Sequence, residues 1–183
     1  KHEQRGSPRA AFVFLGLTIL AFFYQSIGTG YIFSGTSSSS GTIFSAIISV
    51  VMPVMLFVVA NWCLTTLLEG EGSFRDVFVA TCYGIAPLPL LIILSTAVSN
   101  FLTANESAVI TLINTIAFIW VGILLFFGVM VTHGYSFGKN VATILFTIIA
   151  MAFIMFLAVL FSSLMTKIVS FVYSIAEEIN YRI

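Results

Sequence analysis

Five long apolar runs restrict the fold of this 183-residue chain more than any other feature. They extend over Ala10 to Phe33, Ile43 to Leu68, Val77 to Leu102, Ala108 to Val131 and Val141 to Leu164. A hydrocarbon layer about 30 Å thick takes about 20 apolar residues of helix to cross. Inside that layer the backbone must satisfy its own hydrogen bonds, so runs of this length are helices. A transmembrane β-barrel would need shorter segments of alternating polarity, and that period is absent. The expected fold is all-α: a polytopic membrane protein, with residues 1–183 forming one domain of five transmembrane helices in a compact bundle. No internal repeat is evident, so an inverted-repeat transporter gains no support.

Charge agrees with hydropathy. Only 8 % of the residues are charged, where a soluble domain carries about a quarter. The formal net charge is zero, which leaves no basic footprint for nucleic acid. Five crossings place the N-terminus, the second loop and the fourth loop on one side. That side holds Lys1, Arg5, Arg9, Arg75 and Lys139, whereas the loops 34–41 and 103–107 contain no Lys or Arg. The distribution of basic residues predicts a cytoplasmic N-terminus and an extracytoplasmic C-terminus.

The loop "LLEGEGSFRD", residues 67–76, gathers Glu69, Glu71, Arg75 and Asp76 between two apolar runs. Much of it is turn chemistry. Gly70 and Gly72 are expected to end the second helix in the left-handed conformation. Ser73 and Asp76 have capping-box spacing before the third helix. The two glutamates oppose the dipole of the helix they follow, and Arg75 or Lys139 could pair with them. An exposed pair contributes only about 0–1 kcal/mol, so stability alone does not account for the cluster. Docking of a partner is the second reading.

Other polar residues sort into packing roles. Asn61 in the second run and Asn114 in the fourth are expected to hydrogen-bond to neighbouring helices, as is Tyr83. Pro53, Pro87 and Pro89 are expected to kink their helices. Cys63 and Cys82 suit small packing positions. His133 is expected to be solvated or interfacial, since no ligand pair with helical spacing accompanies it and a metal site is not expected. "SFGK" at 136–139 lacks the companion motifs of penicillin-interacting enzymes, so no catalytic residues or cofactors are assigned. No acidic or basic residue interrupts the run interiors, which argues against an ion-coupled carrier. Beyond Leu164, Ile168, Val172, Ile175, Ile179 and Ile183 recur every three or four residues. Residues 165–183 therefore read as an amphipathic helix that either lies along the outer interface or continues the fifth span and docks on another protein.

The segments "VANWCLTTLLEGEGSFRDVFVATCYGIAPL" (59–88), "VMVTHGYS" (129–136) and "SIAEEINYR" (174–182) resemble the Yip1-domain membrane proteins, especially their bacterial branch. The E-G-E-G end of the second helix and Tyr83 four residues before Pro87 carry the likeness most specifically, and it extends over nearly the whole chain. The resemblance implies a five-span bundle with a cytoplasmic N-terminus, in a bacterial plasma membrane. Eukaryotic relatives work in trafficking with Rab GTPases through an N-terminal D-L-Y-G-P-type motif. The residues before the first run here are few and lack that motif, so Rab binding is not carried over. Some bacterial relatives are associated with ABC-type solute importers, which implies an accessory role.

The sequence thus predicts a non-enzymatic adaptor or accessory subunit whose partners are membrane lipids and other integral membrane subunits, with ABC importer permeases as the candidates that the resemblance implies. Glu69, Glu71, Arg75, Asp76, His133 and Tyr135 are its expected docking residues. The alternatives are an autonomous channel or transporter for a neutral or lipid-like solute, lined by Asn61, Asn114 and the kinked third helix, and a membrane-shaping protein.

Overall fold

The computed structural model describes residues 6–29, 43–68, 70–103 and 106–182. Its helices are α1 (Pro8–Gly28), α2 (Ile43–Leu68), α3 (Phe74–Gly84), α4 (Leu88–Ser99), α5 (Ser107–His133) and α6 (Phe137–Arg182). Five helical stretches are long and apolar enough to cross a membrane, because α3 and α4 together make one span over Phe74–Ser99. The second run has the bounds expected of it. The third and fourth shift by a few residues at their ends, and the expected end of the first at Phe33 lies outside the described residues.

The packing is inverted relative to a soluble protein. The core holds small residues such as Ala21, Val54, Val58, Val77, Ala117 and Val121. Large apolar side chains such as Phe12, Leu20, Phe118, Phe153 and Phe156 point outward and are more than half exposed. Helices approach closely where side chains are small, and hydrocarbon solvates the large ones. α1 packs on α2, α3 and α4; α5 packs on α3 and α4; α6 is held mainly by α2. At one end of the bundle the Asn100 amide donates to the Gly28 carbonyl at 2.8 Å and the Thr96 carbonyl at 2.9 Å, tying α1 to α4.

The prolines divide into a kink site and a break. Pro53 lies inside α2. Pro87 and Pro89 have no N–H to give, and the third span breaks there over residues 85–87. The Ala86 N–H donates to the Tyr83 carbonyl and the Leu88 N–H to the Ile85 carbonyl, at 3.2 and 3.0 Å, so a tighter turn joins the two halves.

The N-terminus of α3 is capped reciprocally, as the spacing predicts. The Asp76 N–H donates to Ser73 Oγ, and the Ser73 N–H donates to Asp76 Oδ2, both at 3.3 Å. Ser73→Ala is expected to lower stability by about 1 kcal/mol, read as an earlier thermal transition in detergent. At the opposite face the Thr103 N–H donates to Glu106 Oε2 at 2.9 Å, and this bond holds the Glu106 carboxyl below its ordinary value. Cys82 is fully buried, as the packing role expects, whereas Cys63 is exposed.

The fifth run and the tail beyond it form one uninterrupted α6 of 46 residues, the continuous one of the two readings open for residues 165–183. At 1.5 Å per residue it is about 70 Å long, more than twice the hydrocarbon thickness. No Gly or Pro follows Gly138, so nothing in the chain ends the helix. From Met155 onward every side chain of α6 that is described is exposed.

A hydrogen-bonded hub behind the charged loop, the candidate functional site

The candidate site is built where α2, the 70–73 connection, α5 and the start of α6 meet. α5 ends at Gly134, whose φ of +65° is the left-handed conformation that glycine adopts without strain. The turn brings Tyr135 back over His133, with the rings stacked 18° from parallel and 5.0 Å apart. The Lys139 ammonium lies 4.9 Å from the Tyr135 ring centroid, a cation–π contact.

His133 is 2 % exposed and both of its ring nitrogens are used. The Gly72 N–H donates to Nδ1 at 3.2 Å, so Nδ1 carries no hydrogen. Nε2 then carries it and donates to Asn61 Oδ1 at 2.9 Å. The Asn61 amide donates to Thr147 Oγ1 at 3.1 Å, and the Thr147 hydroxyl donates to the Thr143 carbonyl at 2.8 Å. One ring nitrogen accepts and the other donates, which fixes a neutral imidazole in a single tautomer. The relay joins the loop and three helices at the membrane edge.

Gly70 and Gly72 are small for this reason. Neither adopts the left-handed conformation expected of them; Gly134 is the positive-φ glycine among the described residues. A Cβ on Gly72 would lie 2.7 Å from His133 Cε1 and 2.8 Å from Nδ1. One on Gly70 would collide with the Tyr135 hydroxyl and lie 2.7 Å from His133 Nδ1. The loop backbone is pressed against the two stacked rings.

Two buried polar atoms have no hydrogen-bond partner among the described residues: the Tyr135 hydroxyl and Asn140 Oδ1. The Asn140 amide itself donates to the Phe126 carbonyl at 2.9 Å, joining α6 to α5. Burial pushes the Tyr135 phenol above its ordinary value, so it stays a donor, without an acceptor among the described residues. Tyr135→Phe is therefore expected to leave stability unchanged or raise it by about 1 kcal/mol, as a later melting transition.

The charged residues lie outside the hub. Glu71 and Arg75 are exposed and Asp76 is half-buried. They line a cavity of about 690 Å³ together with Ser73, Tyr83 and Thr132. His133 and Tyr135 are behind this surface and do not present their side chains to it, contrary to the solvated histidine expected, because Asn61 and Gly72 draw the imidazole inward. Glu69 lies outside the described residues. Asn61 bridges α2 to α5 and α6, but Asn114 makes no hydrogen bond among the described residues. Tyr83 meets Phe14 edge to face at 5.2 Å, an aromatic contact instead of a polar one. Sequence reasoning passed over Asn140, Thr143 and Thr147. Their i, i+3, i+7 spacing marks one face of a helix, and that polar stripe in an apolar run was the available signal.

Residues 1–161 match the family model of the Yip1 domain. No curated protein and no solved structure matches the chain. The family match ends at residue 161, past Met155, from which every described side chain of α6 is exposed.

Proposed function

We propose that this chain, which belongs to the Yip1 domain family of membrane proteins, is a non-enzymatic adaptor or accessory subunit of a larger membrane complex. The observation that carries the reading is α6. Its apolar stretch runs for 39 residues to Ile175, and from Met155 onward every described side chain in it is exposed. About 20 residues cross the bilayer, which leaves a second length of exposed apolar helix beyond it. Phe161, Ile168, Val172 and Ile175 share one face there, opposite Ser163, Lys167, Ser170 and Ser174. A rigid helix with such a stripe fits a groove on another membrane protein.

The charged surface on the opposite face is the second contact. The Lys and Arg distribution supports a cytoplasmic location for it, with the α6 extension outside, in a bacterial plasma membrane. Glu71 protrudes from the loop that the His133 hub holds and Arg75 from the capped first turn of α3, so both can be presented with little ordering cost. Glu71→Lys combined with Arg75→Glu is expected to leave stability within about 0.5 kcal/mol of wild type while releasing the partner.

Extraction from native membranes in mild detergent tests the reading. A second polypeptide at fixed stoichiometry is expected, and the permease of an ABC-type solute importer is the first candidate to probe by co-purification. A homomer active without any partner would count against it. The broken third span favours one rival, a path for a lipid-like solute, because freed backbone at mid-membrane recurs in transporters. Asn61 does not line that path, since it is fully buried and both polar atoms of its amide are bonded. Flux through the purified chain in vesicles would support the rival.

A further inference from the structure

We infer that the bundle holds the hydrocarbon tail of a membrane phospholipid in a crevice at the middle of the bilayer. The crevice has a volume of about 260 Å³ and is open to the surroundings of the bundle. A closed apolar cavity of about 150 Å³ already takes up benzene, so there is room for a length of acyl chain. α2 lines it with Pro53 and Phe57, α5 with Val121, and α6 with Met151; Ile85 comes from the break between α3 and α4. Each lies near the midpoint of its span, at Ile43–Leu68, Ser107–His133 and Phe74–Ser99 for three of them.

Depth and chemistry together specify the occupant. The lining presents almost no polar surface. Two of its hydroxyl groups are turned away: Thr18 donates to the Phe14 carbonyl and Thr81 to the Val77 carbonyl, each at 2.8 Å. The Ser49 hydroxyl also lines the crevice, but so little polar surface faces it that a polar solute would forfeit most of its own hydration. Acyl chains are the apolar species that the bilayer supplies at that depth, and the crevice continues the hydrocarbon-facing surface of the helices. The break at Pro87 and Pro89 contributes by displacing backbone, which leaves Ile85 in the wall where a straight helix would continue. The inference stands apart from the docking reading, since an adaptor and a lipid-path protein would hold the tail equally.

Photolabelling of the full chain tests it. The protein is placed in phosphatidylcholine vesicles doped with a phosphatidylcholine that carries a diazirine midway along one acyl chain. After irradiation, adducts are expected to concentrate on Phe57, Ile85, Val121 and Met151 over the outward-facing Ile119 and Ile148 at similar depth. Val121→Trp fills the crevice and is expected to remove about nine-tenths of those adducts, a tenfold loss equivalent to about 1.4 kcal/mol. Ile119→Trp is expected to leave them unchanged. If Val121→Trp fails to fold, Val121→Leu with Val54→Ile fills part of the same space conservatively and is expected to lower the adducts in the same direction. Adducts spread evenly over the outer surface, or undiminished in the filled variants, would overturn the inference. So would crevice labelling that vanishes in native membranes because a protein helix occupies the site.

Discussion

His133→Leu is expected to destabilise the bundle by about 2–4 kcal/mol, measured by thermal or denaturant unfolding in detergent. The substitution removes two hydrogen bonds at once. It also strands the Gly72 N–H and Asn61 Oδ1 in a buried site, where each lost partner costs more than the bond itself contributed. Interhelical hydrogen bonds in membrane proteins average only about 0.6 kcal/mol, so most of the effect comes from the stranded groups. A double substitution separates the two contributions. Adding Asn61→Leu removes one stranded acceptor, so the pair is expected to cost less than the sum of the single changes. Strict additivity would mean that the relay does not act as a unit.

Gly72→Ala is expected to cost about 2–3 kcal/mol. Its Cβ would enter within 3 Å of two His133 ring atoms and of Thr132 Cγ2, which lies 2.9 Å away. The imidazole has nowhere to retreat, because Tyr135 stacks on one face and Asn61 holds its far nitrogen. Gly122→Ala is the control. Gly122 is inside α5 with nothing within 4 Å of an added Cβ, so alanine there is expected to be neutral or to gain up to about 1 kcal/mol of helix stability. Equal losses at both positions would mean that glycine serves flexibility, not close approach, at residue 72.

The contrast shows where the sequence was legible. Hydropathy located the five spans because the bilayer imposes one length on every helix. The Ser73–Asp76 cap was readable because it is local, four residues long and made of side chains with one preferred use. Gly70 and Gly72 were not, since glycine serves both left-handed turns and close contacts, and only the position of His133 decides between them. His133 itself looked interfacial at the end of an apolar run. Its burial depends on Asn61, 72 residues away, and through it on Thr147, 86 residues further along the chain from Asn61. No local pattern carries that information.

The long α6 was partly legible. A helix continuing the fifth span was one of two open readings, because the amphipathic period of residues 165–183 has the same form in a bent helix and in a straight one. Pro87 and Pro89 announced a disturbance without fixing its size. A kink and a full break differ by whether the tighter turn bonds at Tyr83 and Ile85 form, which the neighbouring helices determine.

The central claim is that the apolar stripe of α6 beyond the bilayer is covered by a different protein. A photo-crosslinking amino acid placed at Val172, on the stripe, and separately at Ser170, on the polar face, tests it in intact native membranes. Val172 is expected to give one adduct of defined mass with a second polypeptide, and Ser170 none. Adducts at Val172 with lipid alone or with another copy of the chain, or none at all, would contradict it.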